Sequence, residues 1–451
     1  MVATYVAPTL ESVYGLPTLQ NPHHPPGPTG ANGFAAGELA VGGLAESLRR
    51  IGGDKPEQAV NALLTATNAK KLAKRLSAMR GAAMKIGQVL SMEGADILPP
   101  EFTEALAILR DSADTMPDSQ VRRVMGREFG KGWEGLFEHF DFQPIAAASI
   151  GQVHRAQTRD GRDLALKIQY PGVSRSIDSD VDNMALLLRM LNILPVELDT
   201  EGITQEAKRQ LHQEADYLAE ARFLRDYRYL VRDNDRLLVP AVHDDLTTHR
   251  VLAMEYLEGE PLEILGEEGT PQELRDSVGK ELERLLFREL FEFRTMQTDP
   301  NFANYLYRPE DGRIVLLDFG STVTFQHSFT ERYRLISKAL VEGDDDSVWR
   351  YAEEIGYLHP DDSPAHCGRI VGLIKIICEP ILEDRVYDFS ASDVASRARD
   401  AGFELAWKSR GELRSPPPET VFLHRKLIGS FLLCGRIRAK LNVQETLRQF
   451  L

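Results

Sequence analysis

The sequence predicts an α+β fold that is predominantly helical, with a small β-containing region near the middle of the chain. Strand character first appears near Ile145. Residues 149–157 and 163–169 then form two apolar segments around Arg159-Asp160-Gly161, a strong signal for a tight turn between two strands. A hairpin is therefore expected there, and helical periodicity dominates on both sides of it.

The other elements follow from local patterns. Residues 36–92 have helical periodicity, and a second helical stretch begins after Pro99-Pro100, a dipeptide suited to a helix start. Residues 251–256 read as an apolar strand, and residues 257–261 read as a connector. After that connector we expect helices, apart from short strands around Tyr305 and Leu316.

Composition limits the classes of function. A chain of 451 residues is too long for one small core and suits two or three packed units. It is 43% apolar and 27% charged, as in ordinary globular proteins, and its net charge of −15 without a long basic run argues against general nucleic-acid binding. Cys367, Cys378 and Cys434 show no CxxC spacing, which favours a reducing compartment without a structural zinc site.

Targeting and membrane signals are also absent from the sequence. The first 48 residues contain no Lys or Arg, which is unlike a secretory or mitochondrial presequence. The apolar run 421–433 is interrupted by His424, Arg425 and Lys426, and no run reaches the roughly 20 residues needed to span a bilayer. We therefore expect a cytoplasmic protein with no transmembrane segment.

Five polar residues carry the main functional signal, and they occur in the order Lys167, Glu220, Asp299, Asn304 and Asp318. Lys167 ends the apolar segment Leu164-Ala165-Leu166, and Asp318 begins Asp318-Phe319-Gly320 directly after a predicted strand. This is the order in which a protein-kinase fold places its phosphate-binding lysine, the glutamate that pairs with it, its catalytic aspartate and its two metal ligands. The sequence therefore predicts a kinase-like ATP site.

The chemistry of phosphoryl transfer requires these residue types. Lys167 would hold the nucleotide phosphates, and Glu220 would hold the lysine. Asn304 and Asp318 offer the hard oxygen ligands that Mg²⁺ prefers. Asp299 would accept a proton from the attacking group or orient it.

Two further segments resemble a particular family. Ala146-Ala147-Ala148-Ser149 stands where a glycine-rich loop would cover the phosphates, and Lys85-Ile86-Gly87-Gln88 lies upstream. Together with Glu214-Ala215-Asp216 and Asp318-Phe319-Gly320, they resemble the UbiB/ADCK (AarF-domain) atypical kinase family from about residue 75 to 325.

The resemblance implies a kinase-like two-lobe fold with an N-terminal helical extension over the active site. It implies that Lys85 and Gln88 come from that extension, and that Glu214 and Asp216 meet it. It also implies ATP or ADP and Mg²⁺ as cofactors, ATPase activity, support of ubiquinone or other isoprenoid-lipid metabolism, and peripheral membrane contact. The predicted organisation is a disordered arm (1–34), the extension (35–125), a small lobe with inserted helices (126–256) and a helical large lobe (257–451).

Several assignments leave alternatives open. Glu206 and Glu214 compete with Glu220 as the partner of Lys167, and only the family pattern selects Glu220. Glu214 and Asp216 are two residues apart, so they share a partner only at a helix end or bend.

Other positions depend on backbone geometry or depart from the kinase pattern. Asp299 has the five-residue step to Asn304, but Gln297-Thr298 replaces the usual His-Arg before it. Replacing Gly by Ala at 146–148 removes easy access to positive φ, so nucleotide geometry would differ from that in an ordinary kinase. Glu255 and Leu257 stand where a hinge backbone would contact adenine, and His154 reads as a structural strand residue.

Three hypotheses about function follow. The first is a Mg²⁺-dependent atypical kinase or ATPase. The second is a nucleotide-gated pseudokinase module that binds a lipid or a protein partner. A small-molecule phosphotransferase of the antibiotic-kinase type ranks last, because it does not explain Lys85-Ile86-Gly87-Gln88. The sequence carries no signal for an oligomeric state.

Overall fold

The computed structural model describes residues 115–190, 200–299, 301–408 and 417–451, and these residues fall into two compact units. The first unit contains residues 115–161, 166–190 and 200–215, and the second contains residues 162–165 together with the described residues from 216 onwards. The predicted arm and most of the extension, including Lys85 and Gln88, lie outside the described residues. The predicted domain boundaries therefore stay predictions.

The first unit combines a small sheet with three helices. Its elements are α1 (Asp118–Glu128), β1 (Phe137–Phe140), β2 (Ala146–Ala147), β3 (Gly151–Thr158), the larger part of β4 (Asp163–Gln169), α2 (Val173–Met190) and α3 (Thr200–Glu214). Strands β1 and β2 both pair antiparallel with β3, so that His139 lies opposite Gln157 and Ala146 lies opposite Val153.

The predicted hairpin turn is confirmed. Gly161 has a φ of 88°, a conformation that glycine adopts without strain, and its N–H donates to the Thr158 carbonyl at 2.9 Å. The prediction that strands begin near Ile145 was wrong, because β1 begins at Phe137. This short strand has no alternating pattern, and its aromatic rings pack against Trp133, with ring centroids of Trp133 and Phe140 5.1 Å apart.

His154 in β3 has the structural role that the sequence suggested. Its side chain is fully buried, and its Nδ1 lies 2.8 Å from the Asp141 carbonyl oxygen. Its Nε2 lies 2.8 Å from the Gln152 amide, and its ring stacks on Phe140. Burial lowers the pKa of His154, which favours the neutral ring of a core residue.

The second unit is mainly helical. Its helices are α4 (Tyr217–Leu230), α5 (Gln272–Phe287), α6 (His327–Glu342), α7 (Asp345–Ile355), α8 (Pro364–Ile377), α9 (Glu379–Leu382), α10 (Val394–Lys408), α11 (Pro418–Arg436) and α12 (Val443–Leu447). Its strands are β5 (Leu237–Leu238), β6 (Val251–Glu255), β7 (Glu260–Pro261), β8 (Thr295–Gln297), β9 (Tyr305–Arg308), β10 (Arg313–Leu316), β11 (Thr322–Thr324), β12 (Tyr387–Asp388) and β13 (Lys440–Leu441).

Two small sheets position residues 295–320, named the catalytic segment after the predicted roles of Asp299, Asn304 and Asp318. Strand β10 pairs antiparallel with β9 and parallel with β5, and β8 pairs antiparallel with β11, so that Gln297 lies opposite Thr322. The strands around Tyr305 and Leu316 are confirmed. Strands β8 and β11 were not predicted, because three residues are too few for a periodic signal.

The connector at 257–261 ends in strand β7, where Glu260 pairs with Tyr307. Gly259 is required there, because a Cβ on this residue would lie 2.9 Å from the Leu306 Cβ and 3.2 Å from the Tyr307 carbonyl oxygen. This close approach brings the connector against β9.

Helices α5 and α11 form the centre of the second unit. A Cβ on Gly279 of α5 would lie 2.7 Å from the Ala439 Cβ, just beyond the end of α11. Helix α5 continues directly into a π-helical turn, Arg288–Phe293, which ends at Arg294 with a left-handed φ of 53°. π-Turns of this kind are rare and occur frequently at functional sites. Among the helices of the described residues, none has the length and apolar character needed to cross a bilayer.

Candidate active site

Asp318 lies just beyond the end of β10. Its Oδ1 accepts a hydrogen bond of 2.9 Å from the Gly320 N–H, which fixes the carboxylate at the start of the Asp-Phe-Gly turn. The Leu317 N–H donates to the Asn304 carbonyl oxygen at 3.0 Å. The two predicted metal ligands, Asn304 and Asp318, therefore belong to neighbouring backbone segments.

Asn304 also holds Asp299. Asn304 ends a short 3₁₀ turn, Phe302–Asn304, which Asn301 begins by accepting a hydrogen bond from the Ala303 N–H. The Asn304 Nδ2 donates to the Asp299 Oδ2 at 3.1 Å and to the Asp299 carbonyl oxygen at 3.3 Å. Because the amide nitrogen is used in this way, the amide oxygen is the atom that would bind a cation.

Arg425 of α11 binds the second carboxylate oxygen of Asp299. The Arg425 guanidinium donates to the Asp299 Oδ1 at 2.7 Å, and the two side chains are 10% and 21% exposed. A charge-assisted hydrogen bond at this depth is stronger than a surface ion pair. In the sequence Arg425 was interpreted only as an interruption of an apolar run, so this contact was missed.

Thr298, directly before Asp299, is hydrogen-bonded to Ser321, directly after Gly320. The Thr298 N–H and the Thr298 hydroxyl both donate to the Ser321 carbonyl oxygen, at 3.0 and 2.7 Å. These bonds extend the β8–β11 pairing up to Asp299. Gln297-Thr298, which replaces the usual His-Arg, therefore has a structural role of its own.

Glu220 lies beside the Asp318-Phe319-Gly320 turn. It belongs to the buried stripe of α4, a helix that Asp216 caps by accepting from the Ala219 N–H at 2.9 Å. A Cβ placed on Gly320 would lie 3.6 Å from the Glu220 Oε2 and 3.3 Å from the Asp318 Oδ1. The second unit thus brings Glu220, Asp299, Asn304 and Asp318 together.

These four side chains fit a magnesium nucleotide by their chemistry. Mg²⁺ takes oxygen ligands and is usually held by one or two protein oxygens together with phosphates. Asn304 and Asp318 offer an amide oxygen and a carboxylate on adjacent segments. Among the described residues, no group of three or more His, Cys, Asp or Glu side chains is placed to hold a metal ion.

In the first unit, Lys167 lies within β4 and is 8% exposed. Ala146 and Ala147 form the exposed strand β2, and the Ala148 N–H donates to the Gly151 carbonyl oxygen at 2.9 Å. This loop therefore holds its shape by strand pairing. The Ser149 hydroxyl donates to the Glu214 carboxylate at the end of α3, so Glu214 has a partner within the unit.

The competing glutamates differ in their surroundings. Glu206 pairs with Arg209 on the same helix at 2.7 Å, with both side chains substantially exposed. Helix α3 ends at Glu214, and Asp216 caps α4. Glu214 and Asp216 are thus at a helix boundary, the only setting in which their spacing lets them share a partner.

Glu255 and Leu257 follow β6. The Glu255 carboxylate accepts from the Ala241 N–H at 3.1 Å and lies 3.4 Å from the Arg228 guanidinium, so its side chain has a structural role. The Glu255 N–H donates to the Ala241 carbonyl oxygen. Adenine contact at these two positions stays a prediction.

Behind Asp299 lies a buried polar cluster that the sequence did not reveal. It consists of Tyr227, Glu289, Gln297, Tyr305 and Lys426, all of them buried. The Lys426 Nζ lies 3.1 Å from the Glu289 Oε2 and donates to the Tyr305 hydroxyl at 3.2 Å. Three consecutive polar residues, 424–426, inside an apolar helical run were the only sequence signal for it.

A small cavity joins this cluster to the metal ligands. Its lining includes Asn304, Asp318, Gln297, Tyr305 and Lys426. The buried cluster is therefore adjacent to the atoms expected to bind the cation.

Comparisons with known proteins agree with this geometry. Residues 108–352 match the family described as the ABC1 atypical kinase-like domain. The chain belongs to this family. It is 39% identical over 415 residues to the atypical kinase COQ8B, mitochondrial, of Rattus norvegicus, with 92% of this chain and 78% of the relative covered. It is 34% identical over 422 residues to the atypical kinase COQ8, mitochondrial, of Saccharomyces cerevisiae, with 92% and 83% covered.

A solved structure gives the same result for the fold. The complex of Rv3197 with erythromycin from Mycobacterium tuberculosis has a TM-score of 0.59 at 26% identity and covers 88% of this chain and 98% of that one. The expected family, the α+β kinase-like fold and the assignment as an ATP-dependent enzyme of the atypical kinase class are confirmed. The relatives from rat and yeast are named as mitochondrial, and a cytoplasmic location for this chain stays a prediction.

Proposed function

We propose that this protein is a Mg²⁺-dependent, ATP-binding atypical kinase or ATPase that supports ubiquinone or other isoprenoid-lipid metabolism. The observation that carries the proposal is the convergence of Glu220, Asp299, Asn304 and Asp318 on one turn. Membership of the ABC1 family supports the reaction class, and the likeness to COQ8 proteins supports the lipid pathway.

Each residue has a proposed role. Asn304 and Asp318 bind Mg²⁺, which would neutralise phosphate charge when the nucleotide is bound. By the family pattern, Lys167 and the loop 146–149 have the role of holding the phosphates, and Glu220 has the role of the kinase glutamate. Asp299, held by Asn304 and Arg425, orients the attacking group.

The contacts of Asp299 favour orientation over proton abstraction. Both of its carboxylate oxygens already accept hydrogen bonds, one of them from a guanidinium. These bonds occupy lone pairs that a proton acceptor would need, and they hold the carboxylate in one orientation. Slow ATP hydrolysis, with water as the acceptor, is the activity tested under this proposal.

The same contacts give weight to a second candidate. A nucleotide-gated binding module would need the metal ligands but no base. Such a module would bind Mg²⁺-nucleotide and reorganise residues 35–125 for a lipid or a protein partner. It differs from the first candidate in showing binding without turnover.

The experiment measures equilibrium binding of ADP and ATP, with Mg²⁺ or with EDTA, and phosphate release from the same samples. Asp318→Asn should weaken Mg²⁺-nucleotide binding by about 10- to 100-fold or more, since loss of even an outer-shell metal contact has that effect. The matched control is Asp311→Asn, at the other end of β10, where the aspartate pairs with Arg313 on the surface.

Slow phosphate release by wild type, lost in Asp318→Asn and kept in Asp311→Asn, supports the enzyme. Binding without release in wild type, with or without vesicles containing an isoprenoid quinone, supports the binding module. Equal binding by wild type and Asp318→Asn would contradict both candidates.

A further inference from the structure

Glu289 is a fully buried carboxylate at the meeting point of three chain segments. It lies in the π-helical turn that follows α5. Its Oε1 accepts from the Tyr227 hydroxyl of α4 and from the Gln297 N–H of β8, both at 2.8 Å. Its Oε2 lies 3.1 Å from the Lys426 ammonium of α11.

Burial and mutual pairing act on the pKa values of both members of this pair. Burial acts to lower the pKa of Lys426, but the Glu289 carboxylate and Tyr305 outweigh it and raise that pKa above its ordinary value. Burial raises the pKa of Glu289, and the Lys426 charge opposes this. Since a buried ion pair needs hydrogen bonds to its remaining atoms, the donors around Glu289 determine whether it can persist.

Each donor to Glu289 is connected to a different part of the site. The Tyr227 ring packs on Phe319 of the Asp-Phe-Gly turn, with centroids 4.6 Å apart. Tyr227 also lies two turns after Glu220 on the buried stripe of α4.

The other two donors lead to Asp299. The Gln297 side chain donates to the Asp299 carbonyl oxygen at 2.8 Å. Lys426 follows Arg425, which binds the Asp299 carboxylate. Glu289 is therefore linked through one residue to the metal-ligand turn and to the Asp299 carbonyl oxygen, and through Lys426 and Arg425 to the Asp299 carboxylate.

We propose that Glu289, together with Lys426, is a positioning residue that sets the Asp318 turn and the Asp299 segment in one arrangement. This inference rests on the proposed function, because it concerns the same metal and nucleotide site. A carboxylate suits this role, since it accepts hydrogen bonds from Tyr227 and Gln297 and also pairs with the Lys426 ammonium. A neutral amide at 289 would place an N–H₂ group against one of them.

The alternative is that the Glu289–Lys426 ion pair only stabilises the core. The two readings differ in what happens when a single donor is removed. A core pair would lower stability without changing the response to metal. A positioning group would change the response to Mg²⁺ and loosen both segments in a protein that remains folded.

Tyr227→Phe removes one hydroxyl and keeps the ring on Phe319. The matched control is Tyr387→Phe. Tyr387 lies in β12, and its hydroxyl also donates to a glutamate, Glu379, at 2.9 Å. We expect Tyr227→Phe to raise the Mg²⁺ concentration needed for half-maximal ADP binding by about fivefold. We also expect faster amide hydrogen exchange at residues 297–299 and 318–321 than in Tyr387→Phe. Glu289→Gln should shift both readouts further in the same direction.

The outcomes separate the two proposals. If Tyr227→Phe and Tyr387→Phe show equal Mg²⁺ dependence and equal exchange in these segments, the positioning role is wrong while the proposed function stands. If wild type binds no Mg²⁺-ADP, the proposed function fails, and the positioning role fails with it. A shift in Tyr227→Phe alone, at comparable melting temperatures of the two variants, supports the inference.

Discussion

The catalytic segment 295–320 and helix α11 supply the same site in different ways. Asp299 and Asn304 are five residues apart, and Asp318 follows on the next strand, so strand ends and short turns bring these residues together. Arg425 reaches Asp299 across 126 residues of chain, from within a helix. The first region can be recognised by its spacing, and the second contributes only through tertiary packing.

The two regions also differ in what their charges contact. Asp318 lines a small cavity beside Asn304, and Asp299 accepts hydrogen bonds from Asn304 and Arg425. Arg425 and Lys426 are consecutive residues, yet one binds Asp299 and the other pairs with buried Glu289. Helix α11 thus contacts the site through Arg425 and Lys426, and we expect the chemistry at Asp299 to depend on these contacts.

The largest effect is expected from cutting the link between the regions. Arg425→Met removes the guanidinium that holds the Asp299 Oδ1. We expect phosphate release to fall by about 100-fold, since misplacing a reacting group by about 1 Å has that effect. Mg²⁺-ADP binding should be retained, because Asn304 and Asp318 remain in place. Steady-state phosphate release and ADP titration on the same sample measure the two quantities.

A control on the same helix separates this role from general stabilisation. Arg436 also pairs with a glutamate, Glu263, at 3.2 Å, near the end of α11. Arg436→Met should leave turnover per folded molecule unchanged. Equal turnover in Arg425→Met and Arg436→Met would show that α11 does not position Asp299.

The sequence predicted the strand-end residues of the site better than the residues that α11 contributes, for a physical reason. Asp318 follows the apolar run of β10, and Lys167 ends the apolar segment Leu164-Ala165-Leu166 within β4. Such apolar runs can be recognised in the sequence. Arg425 and Lys426 showed only as charges inside an apolar run. Nothing local indicates that these charges face inward, because their partners lie on distant segments of the chain.

The fold shows the same division. The hairpin turn at Gly161 and the strands near Tyr305 and Leu316 were predictable, since turn chemistry and apolar runs are local. Strand β1 and the β8–β11 pair were missed, because β1 has no alternating pattern and β8 and β11 have only three residues each. The resemblance to a family supplied the choice of Glu220 over its competitors, a choice that spacing alone leaves open.

A second prediction concerns how α11 is attached to α5. Glu283 of α5 is fully buried and accepts from the Ser430 hydroxyl of α11 at 2.6 Å, and burial raises its pKa from 4.5 to about 7. Because the folded pKa lies above the unfolded one, the stability that this group contributes is complete below pH 4.5. It is lost as the pH rises through about 7, and the loss amounts to about 3 kcal/mol.

Glu283→Gln keeps the shape of the protonated acid and removes its titration. The free energy of unfolding of the variant minus that of wild type should therefore increase by about 2–3 kcal/mol between pH 5 and pH 8. Urea unfolding at the two pH values measures it. His424, whose pKa burial lowers to about 4, titrates in both proteins, so its contribution cancels. A difference that is constant with pH would contradict the assignment.

The smallest effect is expected where α5 meets the chain after α11. Gly279→Ala would place a methyl group 2.7 Å from the Ala439 Cβ and 2.9 Å from the Leu441 Cδ2, so the packing must shift. We expect a loss of about 1–3 kcal/mol in the free energy of unfolding, as for other overpacked cores. Gly368→Ala on α8 meets no atom within 4 Å and should be neutral or stabilising by about 0.5–1 kcal/mol, because alanine is the better helix former. Thermal and urea unfolding compare the two variants.

Turnover should be unchanged in Gly279→Ala, since Arg425 lies toward the opposite end of α11 from the strained contact. A fall in turnover per folded molecule would mean that small shifts of α11 reach Asp299. The distinction between the catalytic segment and helix α11 would then be wrong in part, because the helix would transmit packing changes to the catalytic segment along its whole length. Unchanged turnover together with lower stability would confine the role of α11 in the site to the turn that carries Arg425 and Lys426.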